Sequence, residues 1–167
     1  RWHQAQHIST PHPGRPPSFC SRSLSAACHW RQAGGLISFG PMTPVRSADD
    51  LSPGMVFDLG SFVLTKEEVL DFARRFDRQP FHLDEEAAKG SIFGRLVASG
   101  VHTFSASVGH LLRSGLFAEI NLGGGAAQLD WPAPLDPDKT VRMQVIVEEV
   151  RASRSKPHMA VVRLRYQ

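Results

Sequence analysis

An α+β domain, one antiparallel sheet wrapped around a long central helix, is the fold class this sequence predicts. Three observations predict it. Positions 96–112 carry no Asp, Glu, Lys or Arg, so a helix there has no solvated face and something must wrap it. After Gly115 the apolar period changes to two: Val141, Met143, Val145 and Val147 alternate with a mostly polar set, and Val162, Leu164 and Tyr166 alternate with Arg163 and Arg165. The chain has 167 residues, 41% of them hydrophobic, which fits a single domain with a single core.

The elements follow in order. Residues 1–41 hold five Pro, six Ser, four Arg and no acidic residue, without a helical or alternating period. Prolines at 11, 13, 16 and 17 remove backbone donors, so this segment reads as a disordered leader: a transit peptide, a non-native extension, or upstream sequence lying ahead of a start at Met42. The domain proper is then residues 42–167. Residues 56–64 read as a strand. Thr65-Lys66-Glu67-Glu68 is a capping box, and Val69, Phe72, Ala73 and Phe76 follow at helical spacing. Pro80 ends that helix, leaving His82 on irregular chain. Asp84 caps a short helix over Glu85 to Lys89, which Gly90 ends. Leu96 to Gly100 opens the uncharged helix. A strand runs from about Ala126 to Trp131, and Ser153 to Pro157 supplies the turn between the last two strands.

Charge narrows the function classes. The leader carries +4 and the body, with fifteen basic against sixteen acidic residues, carries −1, so the net +3 belongs to the front end. It shows no basic stripe interleaved with aromatics, which argues against nucleic acid as a partner. Nor is there a run of 18 apolar residues for a membrane span. Arg151, Arg154 and Lys156 read as a solvated hairpin end, or as a contact to the phosphates of a cofactor-like ligand. Cys20 and Cys28, with His3, His7, His12 and His29 scattered around them, do not have the spacing of a zinc framework, so no metal site is expected. A body free of cysteine suits a reducing compartment, and the cytoplasm is the expected location unless residues 1–41 direct the chain to an organelle.

The chemistry-bearing segment is Asp77-Arg78-Gln79-Pro80-Phe81-His82-Leu83-Asp84. A carboxylate and an imidazole on either side of a proline bend can divide the work of moving protons near neutral pH. The same two residues would also serve as a helix-terminal cap and a loop anchor. Ser99-Gly100 adds a second feature: glycine at a helix start lets a ligand approach free amides, which favour a developing negative charge. Packing of a small residue against the sheet explains that glycine equally well.

These residues, with Glu86-Ala87-Ala88-Lys89, Phe93-Gly94 and Ala98-Ser99-Gly100, resemble the MaoC-like dehydratase family, which includes the (R)-specific enoyl-CoA hydratases. The resemblance covers about residues 54–167 and implies a hot-dog fold. It implies a hydro-lyase that adds or removes water across the 2,3 double bond of an enoyl-CoA thioester, with Asp77 and His82 as the catalytic pair. Ser99, Gly100 and Gln79 would bind substrate, Gly100 through its backbone N–H. No cofactor is implied beyond coenzyme A as part of the substrate, and a homodimer is. Gln79 replaces the family's usual Asn, and Ser99 its usual His. Family members also continue past Tyr166-Gln167 into one more strand, so one sheet position is expected to lie unfilled in a C-terminally truncated domain. Two further functions stay open: a non-catalytic acyl-CoA-binding module, and a hot-dog thioesterase, against which stands the absence of any acid between residues 96 and 112.

Overall fold

The computed structural model describes residues 2–9, 29–32, 35–38 and 42–167. In chain order these form β1 (Trp2–Ser9), β2 (His29–Gln32), β3 (Gly35–Ser38), β4 (Val56–Val63), α1 (Lys66–Phe76), α2 (Pro80–Leu83), α3 (Glu85–Lys89), α4 (Gly100–Arg113), β5 (Asn121–Leu129), β6 (Thr140–Ala152) and β7 (Met159–Tyr166). Among the described residues the strands make one antiparallel sheet in the order β2-β3-β4-β6-β7-β1-β5.

Alternation in β6 sets the core side of the sheet. Met143, Val145 and Val147 are buried while their neighbours remain partly exposed. Each such side chain contributes about 1.5–3 kcal/mol by leaving water. Across the β6–β7 pairing, Val147 meets Leu164 and Val150 meets Val162, and Leu59, Phe62 and Leu111 join the same cluster. A bulge interrupts β4 between Asp58 and Ser61. Gly60 turns it with φ 71°, a conformation other side chains resist, and its N–H donates to Asp58 Oδ1 at 2.9 Å. The Leu59 carbonyl within this bulge accepts the Nε2–H of His110 at 2.8 Å, which ties α4 to the sheet through a fully buried imidazole.

The capping box forms as expected. The Glu68 N–H donates to Thr65 Oγ1 at 3.2 Å, and the Thr65 N–H donates to Glu68 Oε2 at 2.9 Å. Val69 and Ala73 bury the inner face of α1, and the helix stops at Phe76 with Asp77 as its C-cap.

Four expectations need correction. The leader is not without structure throughout: β1 lies between β7 and β5 and pairs with both over eight residues, and β2 and β3 form a hairpin whose second strand joins β4. The sheet position between β7 and β5 is therefore filled, by a strand that local sequence did not announce, because pairing on both sides can impose extension on a segment of low propensity. Cys20, Cys28 and the remainder of the leader lie outside the described residues. His82 does not sit on irregular chain either, since Pro80 begins the one-turn helix α2, where a missing N–H costs nothing. The uncharged helix starts at Gly100, not Leu96, after an extended and buried approach of Leu96, Val97, Ala98 and Ser99. Finally, α4 is not wrapped on every side, because Val101 and Leu112 are 50% and 56% exposed. Among the described residues no helix is long and apolar enough to cross a membrane.

Candidate active site

Local chain geometry brings Asp77 and His82 together. The residue before a proline is pushed to extended backbone, and Gln79 obeys with φ −74° and ψ 140°. That reversal lets α2 fold back, so that His82 Nε2 stands 3.4 Å from Asp77 Oδ2. The other carboxylate oxygen, Asp77 Oδ1, accepts from Gln79 Nε2 at 3.2 Å. Gln79, expected among the substrate-binding residues, is thus seen in contact with Asp77.

His82 is held from behind by the approach to α4. Its Nδ1 lies 2.7 Å from the Val97 carbonyl oxygen, and the Val97 N–H donates to the Phe81 carbonyl at 3.1 Å. A carbonyl only accepts, so Nδ1 carries a hydrogen, and in the neutral form of the ring Nε2 is the nitrogen with a free lone pair facing Asp77. Two acceptors 3.4 Å apart do not bond to one another; a proton, or a water donating one hydrogen to each, reconciles them. The imidazole edge packs on Phe81, with ring centroids 4.5 Å apart. His82 is 5% exposed, while the Asp77 side chain retains 24% of its surface, so the pair is sheltered but reachable from the carboxylate side.

Three residues beyond Val97, Gly100 opens α4. As the first helical residue it has no helical carbonyl four positions back, so its N–H lies outside the helix ladder. The space against its Cα is not open to a ligand. The Trp131 side chain fills it, and a Cβ built on Gly100 would collide with the indole. Ser99 occupies the N-cap position yet makes no capping bond, and it is 1% exposed. Its Oγ has no hydrogen-bond partner among the described residues.

Sequence reasoning missed Trp131 and His102. The His102 ring stacks on Phe72 of α1 at 4.5 Å, almost parallel, and burial pushes its pKa below the ordinary value while the Glu68 carboxylate opposes that shift. No periodicity or motif singles out either residue. The approach of Trp131 to Gly100, and the stacking of His102 on Phe72, join chain segments that are distant in sequence. Of the basic residues near the last turn, Arg151 pairs locally, its Nε lying 3.4 Å from Glu149 Oε1. Among the described residues no group of three or more His, Cys, Asp or Glu side chains is disposed to hold a metal ion.

Comparison with known proteins adds an independent line. The family model described as MaoC like domain matches residues 50–165. The crystal structure of the MaoC-like dehydratase from Rhodospirillum rubrum superposes with a TM-score of 0.61 at 32% identity, covering 71% of this chain and 93% of that one. The (R)-hydratase PhaJ1 from Pseudomonas aeruginosa shares the fold at 16% identity with a TM-score of 0.51, covering 73% of this chain and 88% of that one. A curated relative, the uncharacterized protein YdeM of Bacillus subtilis, is 32% identical over 76 residues, which span 46% of this chain and 54% of the relative. The hot-dog fold expected from the motif is the fold of these neighbours.

Proposed function

The chain belongs to the MaoC-like domain family, and from that premise we propose that it is a hydro-lyase acting on an enoyl thioester of coenzyme A. The observation that carries the proposal is the placement of His82: Nδ1 lies 2.7 Å from the Val97 carbonyl, which can only accept, and Nε2 lies 3.4 Å from Asp77 Oδ2, where a neutral ring offers a base.

A water bound between the two acceptors donates one hydrogen to each. Nε2 removes a proton as the water oxygen bonds to carbon 3 of the enoyl group. The electrons of the 2,3 double bond move toward carbon 1, and charge gathers on the thioester oxygen. Gly100 N–H donates to that oxygen, where a preorganised amide is worth most. A proton then passes to carbon 2 from the Asp77/His82 pair, and both residues return to their starting state. The dehydration direction reverses each step. Gln79 positions Asp77 through Oδ1, and Ser99, with its buried hydroxyl, lines the substrate site. A homodimer belongs to the same proposal, supported by the exposed Val101 and Leu112 on α4, which a second copy would cover. The cytoplasm is its proposed location.

One observation favours a second reading. Trp131 lies against Gly100, as it would in an acyl-binding module that performs no chemistry. Turnover separates the two. Loss of the conjugated thioester absorbance is measured across enoyl-CoA substrates of graded length. Wild-type protein is expected to hydrate at least one of them, and His82→Ala to lose about 10²- to 10⁴-fold in kcat, the range for general acid–base groups. Equal rates for wild type and variant across the whole series reject the hydratase; release of free thiol from saturated acyl-CoA would indicate a thioesterase instead.

A further inference from the structure

Gly100 and Trp131 are 31 positions apart in the chain, yet a single added carbon on Gly100 would collide with the indole. This closeness is built in. The loop carrying Trp131 is pinned at successive points: the Ala98 N–H donates to the Leu135 carbonyl at 2.8 Å, Arg95 Nε pairs with Asp136 Oδ1 at 2.5 Å, and the Asp138 N–H donates to the Leu64 carbonyl at 2.8 Å. Asp138 Oδ1 in turn accepts from the Lys66 N–H at 3.1 Å, at the start of α1. The loop thus spans from the first residue of α1 to the approach of α4, and it holds the indole against the first residue of α4 while leaving Trp131 51% exposed.

Resting on the hydratase reading above, we propose that Trp131 is a specificity-determining residue which confines the thioester end of the site to acyl groups unbranched at carbon 2. An oxygen bonded to the Gly100 N–H lies about 2.9 Å from the nitrogen. Its carbonyl carbon is about 1.2 Å further and carbon 2 one bond beyond, while Gly100 Cα, against which the indole rests, is about 1.5 Å from the same nitrogen. Indole and carbonyl carbon are therefore both near neighbours of the Gly100 nitrogen, and carbon 2 is proposed to lie on the indole side of it. A flat, rigid wall there admits a planar, unsubstituted enoyl group and meets a methyl on carbon 2 head-on. Overpacking by one methyl has no cheap relief, because the loop that follows the indole is fastened at Leu135, Asp136 and Asp138.

The test compares but-2-enoyl-CoA with 2-methylbut-2-enoyl-CoA in wild type, Trp131→Phe and Trp131→Ala. Trp131→Ala is expected to raise the branched-to-unbranched ratio of kcat/KM by at least about 10-fold, the low end of what one methyl commands in an apolar site. Trp131→Phe, which keeps a flat ring, is expected to stay near wild type. An unchanged ratio in Trp131→Ala, or an equal fall for both substrates, overturns the proposal. Binding of the saturated pair, butanoyl- and 2-methylbutanoyl-CoA, by titration calorimetry supplies a parallel ratio, of affinities, without turnover. A protein that binds but turns over neither substrate therefore sinks the hydratase reading, while the ratio of affinities still decides the role of Trp131. Should Trp131→Ala not melt cooperatively, Trp131→Leu and Trp131→Val replace it, and a ratio that does not rise as the side chain shrinks is equally fatal.

Discussion

Replacing His110 by Phe tests whether one buried imidazole fastens the central helix to the sheet. His110 is 0% exposed, and its Nε2–H is the donor that the Leu59 carbonyl receives inside the β4 bulge. Phenylalanine preserves most of the ring volume and its packing against Phe62, whose centroid lies 5.0 Å away. What it removes is the donor, leaving a buried carbonyl without that partner at a cost of about 1–3 kcal/mol. For a chain of this size that corresponds to a melting temperature lower by about 2–4 °C per kcal/mol. The perturbation also has a pH signature. Burial holds the His110 pKa below the ordinary 6.5, with the neighbouring Arg113 cation acting in the same direction and the Leu59 hydrogen bond opposing both. A histidine whose folded pKa is depressed binds its proton more readily when unfolded. Its contribution is therefore complete above pH 6.5 and is lost as pH falls toward the folded value. One such group changes stability by at most about 1.4 kcal/mol per pH unit. Urea unfolding at pH 8 and at pH 5.5 separates the effects: His110→Phe should be less stable than wild type at pH 8 and should lose less on acidification, the remaining loss belonging in part to His102, which burial depresses in the same way. A variant as stable as wild type at pH 8, with an undiminished acid response, would refute the anchoring argument.

Two further outcomes follow from contacts already described. Gln79→Ala removes the amide that holds Asp77 Oδ1; kcat on the best enoyl-CoA should fall about 10-fold, the scale of one net hydrogen bond near 1.4 kcal/mol, with melting temperature unchanged, and an unaltered kcat would show that Asp77 needs no such support. Deleting residues 1–9 removes β1, the neighbour that links β5 to β7; the bared strand edges should lower the melting temperature and promote self-association on gel filtration, whereas a monodisperse variant with wild-type melting would exclude β1 from the sheet.

What the sequence determined by itself is whatever local chemistry decides. Thr65 and Glu68 satisfy each other's backbone within one turn, Pro80 dictates the conformation of Gln79, and a strict period of two can only bury one face of β6. The Asp77/His82 pair was legible for the same reason: five positions and one proline suffice to bring them together. The hidden part consisted of contacts made across long separations. Sequence could nominate Gly100 but not say what fills the room it leaves, since Trp131 arrives from a loop fixed by Leu64, Lys66, Arg95 and Ala98. Nor could it foresee a strand in a proline-rich leader, where residues 2–9 are extended because β5 and β7 flank them. Short-range rules fix elements and their caps; which surfaces meet is settled only when every segment competes for the same core and the same unpaired edges.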